Sequence, residues 1–125
     1  MVKPIPCRRF SNASMLDWVT KLIEETHEVA REAALLAPRL AKGDWYTDNT
    51  LEVEWRLAEE LTDVITLCTS WLDALGYDEE VRDMVQGVIN QRNRKRGYFH
   101  TKKEALLEQR CFTRKDDNNV ESEKD

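Results

Sequence analysis

A chain of 125 residues with 34% charged residues is the size of one domain with a highly polar surface, since a single core serves roughly 100–200 residues. Its formal net charge of −5 excludes nonspecific binding to nucleic acid, which works by neutralising backbone phosphates with Lys and Arg, so no stable nucleic-acid partner is expected. Cys7, Cys68 and Cys111 are odd in number and form no CxxC pair, which excludes a disulfide framework or zinc knuckle. With no apolar signal region and no uninterrupted apolar run of about 18 residues, the expectation is a soluble cytoplasmic protein without a membrane partner.

Residues 1–13, with Pro4, Pro6, Arg8 and Arg9, show no sustained period and read as an irregular arm. A helical domain is expected over 14–110. Ser14 with Asp17 three residues on reads as a cap, and Met15, Trp18, Val19, Leu22, Ile23, Thr26, Val29, Ala30 and Ala33 recur at helical spacing. Pro38 is read as the end of this first helix. The stretch 38–50, with Gly43, Trp45 and Tyr46, reads as connection. A second helix is expected from Asn49 or Thr50, with Val53, Leu57, Leu61, Val64, Leu67, Cys68, Trp71 and Leu75 along one side and Gly76 as its stop. A third runs from Asp78 to about Arg96, with Gly97 as its end signal, and Thr101 with Glu104 opens a short fourth. The charged segment 111–125 has too little apolar surface to fold alone. No strand pattern or repeat is present. The fold class is all-α: three long helices and a short C-terminal one.

The first helix carries Glu24, Glu25, Glu28 and Glu32, a run that alone reads as a solvated face. At about 100° per residue, Glu25, Glu28 and Glu32 fall along one border of the apolar stripe, and Glu24 points away toward Arg31. In the second helix Glu60 projects within the apolar arc of Val53, Leu57, Val64, Leu67 and Trp71, with Asp63 one turn further at its edge. A carboxylate turned toward a core requires a cation or hydrogen-bond donors. Two helices that each offer two carboxylates three residues apart, Glu25 with Glu28 and Glu60 with Asp63, can surround Mg²⁺ or Mn²⁺ with hard oxygen ligands. From spacing alone, that reading and an internal salt bridge to Arg or Lys stand level. Glu24 and His27 form one Glu-x-x-His element, but His100 has no Glu three residues before it, so a di-iron site lacks its second half. His27 reads as a surface or interface residue.

The order Glu24-Glu25-Thr26-His27-Glu28, a loop, then Glu59-Glu60-Leu61-Thr62-Asp63 resembles the EExxE and ExxD signature of the MazG-like all-alpha nucleoside triphosphate pyrophosphohydrolases. The segment Asn90-Gln91-Arg92-Asn93-Arg94-Lys95-Arg96-Gly97-Tyr98 is similar to the closing segment of that family. The resemblance covers roughly residues 14–99. It implies a helical bundle that holds Mg²⁺, with Mn²⁺ as a substitute, and hydrolyses a (deoxy)nucleoside triphosphate to the monophosphate and pyrophosphate by water attack at the α-phosphorus. By position, Glu25, Glu28, Glu60 and Asp63 become metal ligands. Glu24 matches the first acid of the signature and would orient or deprotonate the water; Glu59 has a weaker claim. Asn90 or Asn93, Arg92, Lys95, Arg96 and Tyr98 would meet the substrate, Asn93 being preferred because Arg96 and Tyr98 follow it.

Metal-assisted hydrolysis needs no Ser, Cys or His nucleophile, which agrees with these residues. The basic cluster has an equal structural reading, since a helix C-terminus favours cations through its dipole. Trp18 reads as packing. Trp45 and Tyr46 read either as a cover for the base or as a cap against a neighbouring subunit. The resemblance further implies a homo-oligomer, a tetramer of two dimers or else a dimer, with the active site near a subunit interface. Two other readings keep the fold without the reaction: a non-catalytic nucleotide-binding module and a helical adaptor.

Overall fold

In a computed structural model of the protein, which describes residues 1–111, Ser14 stands in extended backbone at the start of helix α1 (Met15–Ala41). Its Oγ accepts the Asp17 N–H at 3.1 Å, and Asp17 Oδ2 accepts the Ser14 N–H at 3.2 Å. Reciprocal capping satisfies two donors that the first turn leaves free. Pro38 does not end the helix, contrary to the sequence reading. It lies within the last turn and forfeits one N–H, while the Lys42 N–H reaches the Pro38 carbonyl at 3.2 Å and Asp44 N–H reaches that of Arg39 at 3.0 Å. The chain then reverses at Gly43, whose φ of 82° favours a residue without Cβ.

Helix α2 (Asp48–Ala74) opens one or two residues earlier than expected, because Thr47 is its cap: Thr47 Oγ1 accepts the Thr50 N–H at 3.3 Å and donates to Thr50 Oγ1 at 2.7 Å. Thr50 is fully buried, so this hydroxyl pair is satisfied where water does not reach. Gly76, at φ 93°, stops the helix as anticipated. Helix α3 (Glu79–Lys95) follows, with Asp78 Oδ1 accepting the Val81 N–H at 2.9 Å.

The short 42–47 connection makes α1 and α2 an antiparallel hairpin, and the cross-contacts give its register. Trp18 stacks on Trp71, with ring centroids 6.0 Å apart and planes within 7°. Glu25 lies beside Glu60 and Asp63 in mid-helix, and Arg56 Nε meets Glu32 Oε2 at 3.3 Å nearer the connection. The fully packed apolar core is small: Trp18, Leu36 and Val53. Ile23 and Leu61, which the helical period assigned to inward faces, remain exposed.

The N-terminal arm is irregular apart from a 3₁₀ turn at Arg8–Phe10, yet it is docked. The Cys7 N–H donates to Ser70 Oγ at 2.9 Å, Arg8 Nε meets Asp73 Oδ2 at 3.4 Å, and Lys3 Nζ meets Glu79 Oε1 at 2.7 Å. Arg82 holds the other oxygen of Asp73 at 3.3 Å and the Tyr77 carbonyl at 2.7 Å.

Met1–Arg82 forms one compact unit and a second begins at Asp83. In the second, α3 ends at Gly97, φ 73°, with Tyr98 N–H returning to the Asn93 carbonyl at 3.0 Å. The segment 102–111 is helical, and its capping box is present: Thr101 N–H to Glu104 Oε2, and Glu104 N–H to Thr101 Oγ1, both 3.2 Å. No strand occurs among the described residues. Apart from Cys111, the charged segment expected at 111–125 lies outside them.

With so few apolar side chains fully covered, the Trp18–Trp71 stack carries a large share of hairpin packing. Trp18→Ala is expected to lower the unfolding free energy by about 3–5 kcal/mol, the usual cost of deleting a buried aromatic side chain. Urea unfolding of the metal-free protein measures it; a loss below about 1 kcal/mol would show the stack to be peripheral.

Candidate metal centre

Glu60 is the residue on which the site turns. It stands on α2 within the helical arc that faces α1, and one carboxylate oxygen of each of Glu25, Glu60 and Asp63 lies within 4.8 Å of the others. Two helices thus bring together three of the four acids that the sequence singled out. The fourth, Glu28, is exposed but close enough to Glu60 for the two carboxyls to share a proton. Glu60 Oε2 is buried and finds no hydrogen-bond donor among the described residues.

Burial pushes the Glu60 carboxyl above the ordinary value of 4.5; the shared proton with Glu28 and the negative charges of Glu28, Asp63 and Glu25 push it the same way. Every neighbour that acts on it is itself an acid. The internal salt bridge that the sequence left open for Glu60 is absent among the described residues.

Lys21, which the sequence reading passed over, sits one turn before Glu25. Its Nζ is 3.1 Å from Glu25 Oε1 and 3.8 Å from Glu24 Oε2. The hydrogen bond and charge of Glu25 raise the Lys21 pKa above 10.5 and keep the amine protonated. The i,i+4 spacing was legible in the sequence as a helix-surface pair. The pair compensates Glu25, whose side chain is 13% exposed, and leaves Glu60 without a cation.

Arg31, set on the side of Glu24 by helical period, lies one turn after Glu28 and borders a cleft of about 220 Å³ with Glu28, Glu32 and Glu60. Glu24 is 60% exposed and outside the acidic triad. Glu59 and His27 are exposed.

A larger cavity of about 430 Å³ adjoins the acids: Glu25, Lys21 and Asp63 form part of its wall, and Trp18, Leu67, Ser70, Cys7 and Phe10 form more of it. Trp18 therefore has two roles, packing on Trp71 and closing this cavity. Trp45, 54% exposed, and Tyr46 stay on the α1–α2 connection and line neither space.

The basic residues expected at the substrate lie in the second compact unit. Arg96 is over the Tyr98 ring, 6.0 Å to its centroid, and Arg94 over Phe99 at 5.7 Å. The Asn90 side chain accepts from Gln86 Nε2 at 2.9 Å, whereas no side-chain hydrogen bond holds Asn93. Arg92 and Lys95 are exposed in the last turn of α3, where the helix dipole favours them.

The raised Glu60 pKa fixes the sign of a pH effect. The folded chain holds this proton more tightly than the unfolded chain, so stability from this group falls as pH rises from about 4.5 through the folded value. In metal-free urea unfolding, Glu60→Gln is expected to be at least as stable as the parent at neutral pH, with the advantage vanishing as pH falls below 4.5. Glu79, held below its ordinary value by Lys3, works in the opposite sense but is common to both proteins and cancels. A Gln variant less stable at neutral pH would show that Glu60 has a cationic partner.

No protein-family profile, characterised protein or solved structure matches this chain.

Proposed function

We propose that this protein is a divalent-cation-dependent nucleoside triphosphate pyrophosphohydrolase, converting a (deoxy)nucleoside triphosphate to its monophosphate and pyrophosphate. The observation that carries the reading is the buried, donorless Glu60 oxygen set among carboxylates from two helices. The reaction itself rests on the resemblance of the acidic motifs to the MazG-like enzymes.

The residues present fit a hard cation. Ligand oxygens on Mg²⁺ or Mn²⁺ span about 4 Å across the ion, close to the spread of Glu25, Glu60 and Asp63. Glu25, Glu60 and Asp63 would hold the ion, with Glu28 beside them, and it would neutralise phosphate charge and supply a water of lowered pKa. Lys21 then has its ammonium next to one ligand and on the wall of the larger cavity, where an anionic group is attracted. Glu24 enters only through its place in the motif, and Asn90, Asn93, Arg92, Lys95, Arg96 and Tyr98 are assigned to substrate only by resemblance.

The same reading takes the chain as a homo-oligomer, a tetramer or a dimer. Exposed Leu16 and Ile23 on α1, and Trp55 and Ile65 on α2, support it, since apolar side chains left uncovered at this density are typical of association surfaces.

The test is pyrophosphate release from canonical and modified (deoxy)nucleoside triphosphates with Mg²⁺, against a chelated control. Turnover is expected only with the cation, and Glu60→Gln is expected to lose about 10²-fold or more of kcat while remaining folded. Near-parental turnover in a folded Gln variant would overturn the metal assignment. Nucleotide binding without pyrophosphate release would mark a binding module instead. Millimolar Mg²⁺ is also expected to raise the Tm, because a cation that binds only the folded cluster stabilises it by mass action; an unchanged Tm relative to the chelated sample contradicts this.

A further inference from the structure

We propose that the 430 Å³ cavity beside the acids is the nucleoside subsite, with the N-terminal arm as one wall, and that it grips the base by shape with little discrimination among bases. This rests on the pyrophosphohydrolase reading above, and the argument is one of continuity, shape and hydrogen-bond accounting.

Continuity comes first. Glu25 and Asp63 belong both to the acidic triad and to the cavity wall. Moving toward the N-terminus on α1 from Glu25 to Lys21 and Trp18, or toward the C-terminus on α2 from Asp63 to Leu67 and Ser70, leads the same way, because the helices are antiparallel. Seven residues of helix rise about 10 Å, enough for a sugar and a base in series behind phosphates at the acids. The volume lies within the roughly 300–1,000 Å³ of small-molecule sites.

The wall is mostly apolar, as the flat face of a base requires. Phe10 is 57% exposed although it borders the cavity, so it has ring surface left to cover a ligand. Trp18, 5% exposed and stacked on Trp71, has little ring surface left. The arm is pinned here because the Cys7 N–H is bonded to Ser70 Oγ, which fixes Phe10 near α2.

The polar groups indicate how a base would be read. The Ser70 hydroxyl donates to the Thr66 carbonyl at 2.7 Å, and the Thr66 hydroxyl to the Thr62 carbonyl at 3.1 Å. One Asp17 oxygen is committed to the α1 cap. Both hydroxyl protons are therefore spent on backbone, and neither is free to donate to a carbonyl of a base. Of the other polar wall residues, Lys21 is held by Glu25 and Glu24 at the acid end, and Asp17, Glu25 and Asp63, when ionised, offer acceptors only. A site of this kind separates ligands by fit, within about 10²-fold, whereas sites built on dedicated hydrogen bonds reach about 10⁴-fold or more.

The experiment compares parent and Phe10→Ala on the four deoxynucleoside triphosphates and on inorganic tripolyphosphate, with Mg²⁺. For the parent, kcat/KM is expected to vary by no more than about 10²-fold across the four bases. For the variant, the ratio of kcat/KM on each deoxynucleotide to that on tripolyphosphate is expected to fall about tenfold, through KM. An unaltered ratio, or a parent preference of about 10⁴-fold for one base, would overturn the proposal while leaving the hydrolase reading intact. If no substrate is turned over, the hydrolase reading fails. The cavity is then judged by titrating chelator-treated, ¹⁵N-labelled protein with deoxycytidine and deoxyadenosine. Amide shifts at Cys7, Leu67 and Ser70 that weaken in Phe10→Ala support a nucleoside site; their absence up to about 10 mM, a concentration at which even very weak binding registers, refutes it.

Discussion

Mutual repulsion of carboxylates across the α1–α2 seam is the constraint around which the hairpin is arranged. Opposed like charges in a partly desolvated space raise the free energy of the folded chain unless a proton or a cation intervenes. The seam is held on either side of this cluster, by the Trp18–Trp71 stack and by the Arg56–Glu32 pair. Lys21 offsets Glu25 from the flank. Glu60 has no such cation paired with it among the described residues, only the proton it can share with Glu28, and its Oε2 is buried without a hydrogen-bond partner among them. A hairpin that had only to be stable would place an apolar residue there, as α2 does at Val53. The arrangement raises the free energy of the folded chain in the way a cation site would, which is the basis of the proposed metal centre.

That expense matters because little else holds the unit together. A helical hairpin has one internal seam, and among the described residues only Trp18, Leu36 and Val53 are buried apolar side chains. Polar devices take a larger share: the Ser14 and Thr47 caps, the hydroxyl bond from Thr47 to the buried Thr50, and Asp73, clasped by Arg8 and Arg82. Each is modest alone, of the order of 1 kcal/mol. The proposed self-association would add what one seam lacks, by covering the apolar stripes of both helices.

How much the sequence disclosed depended on how local each feature is. Both capping boxes and the glycine stops at Gly76 and Gly97 are set by residues within one turn, and they stand where the pattern put them. Glu60 was legible because a carboxylate in an apolar arc is a conflict visible from helical period alone. Pro38 misled because a proline is read as a helix breaker, although near a C-terminus it removes one bond that a closing turn can replace. That Arg31 shares a cleft with Glu60 had no signal in the sequence, because angular position on an isolated helix does not say which side chains a second helix will bring near. The docking of Cys7 on Ser70, 63 residues apart, had no local signal, and with it the cavity was hidden. Trp18 was read as packing, which is half of its role.

The shared wall between acids and cavity also constrains how a triphosphate could arrive. An anion of several charges and a cluster of carboxylates repel strongly in a site of low effective dielectric. Lys21, itself paired to Glu25, cannot offset that alone. On the proposed reading, a cation would have to be present before the phosphates settle, held by Glu25, Glu60 and Asp63 or brought with the nucleotide. The apolar part of the cavity has no such conflict and attracts a base irrespective of charge. If the cavity is the proposed nucleoside subsite, affinity from that end would hold the phosphate end against the acids, which is how binding to a non-reacting part of a substrate contributes to the chemistry elsewhere. A cavity that read bases loosely would still serve that purpose, because it would have to supply anchorage and alignment and not a choice among bases.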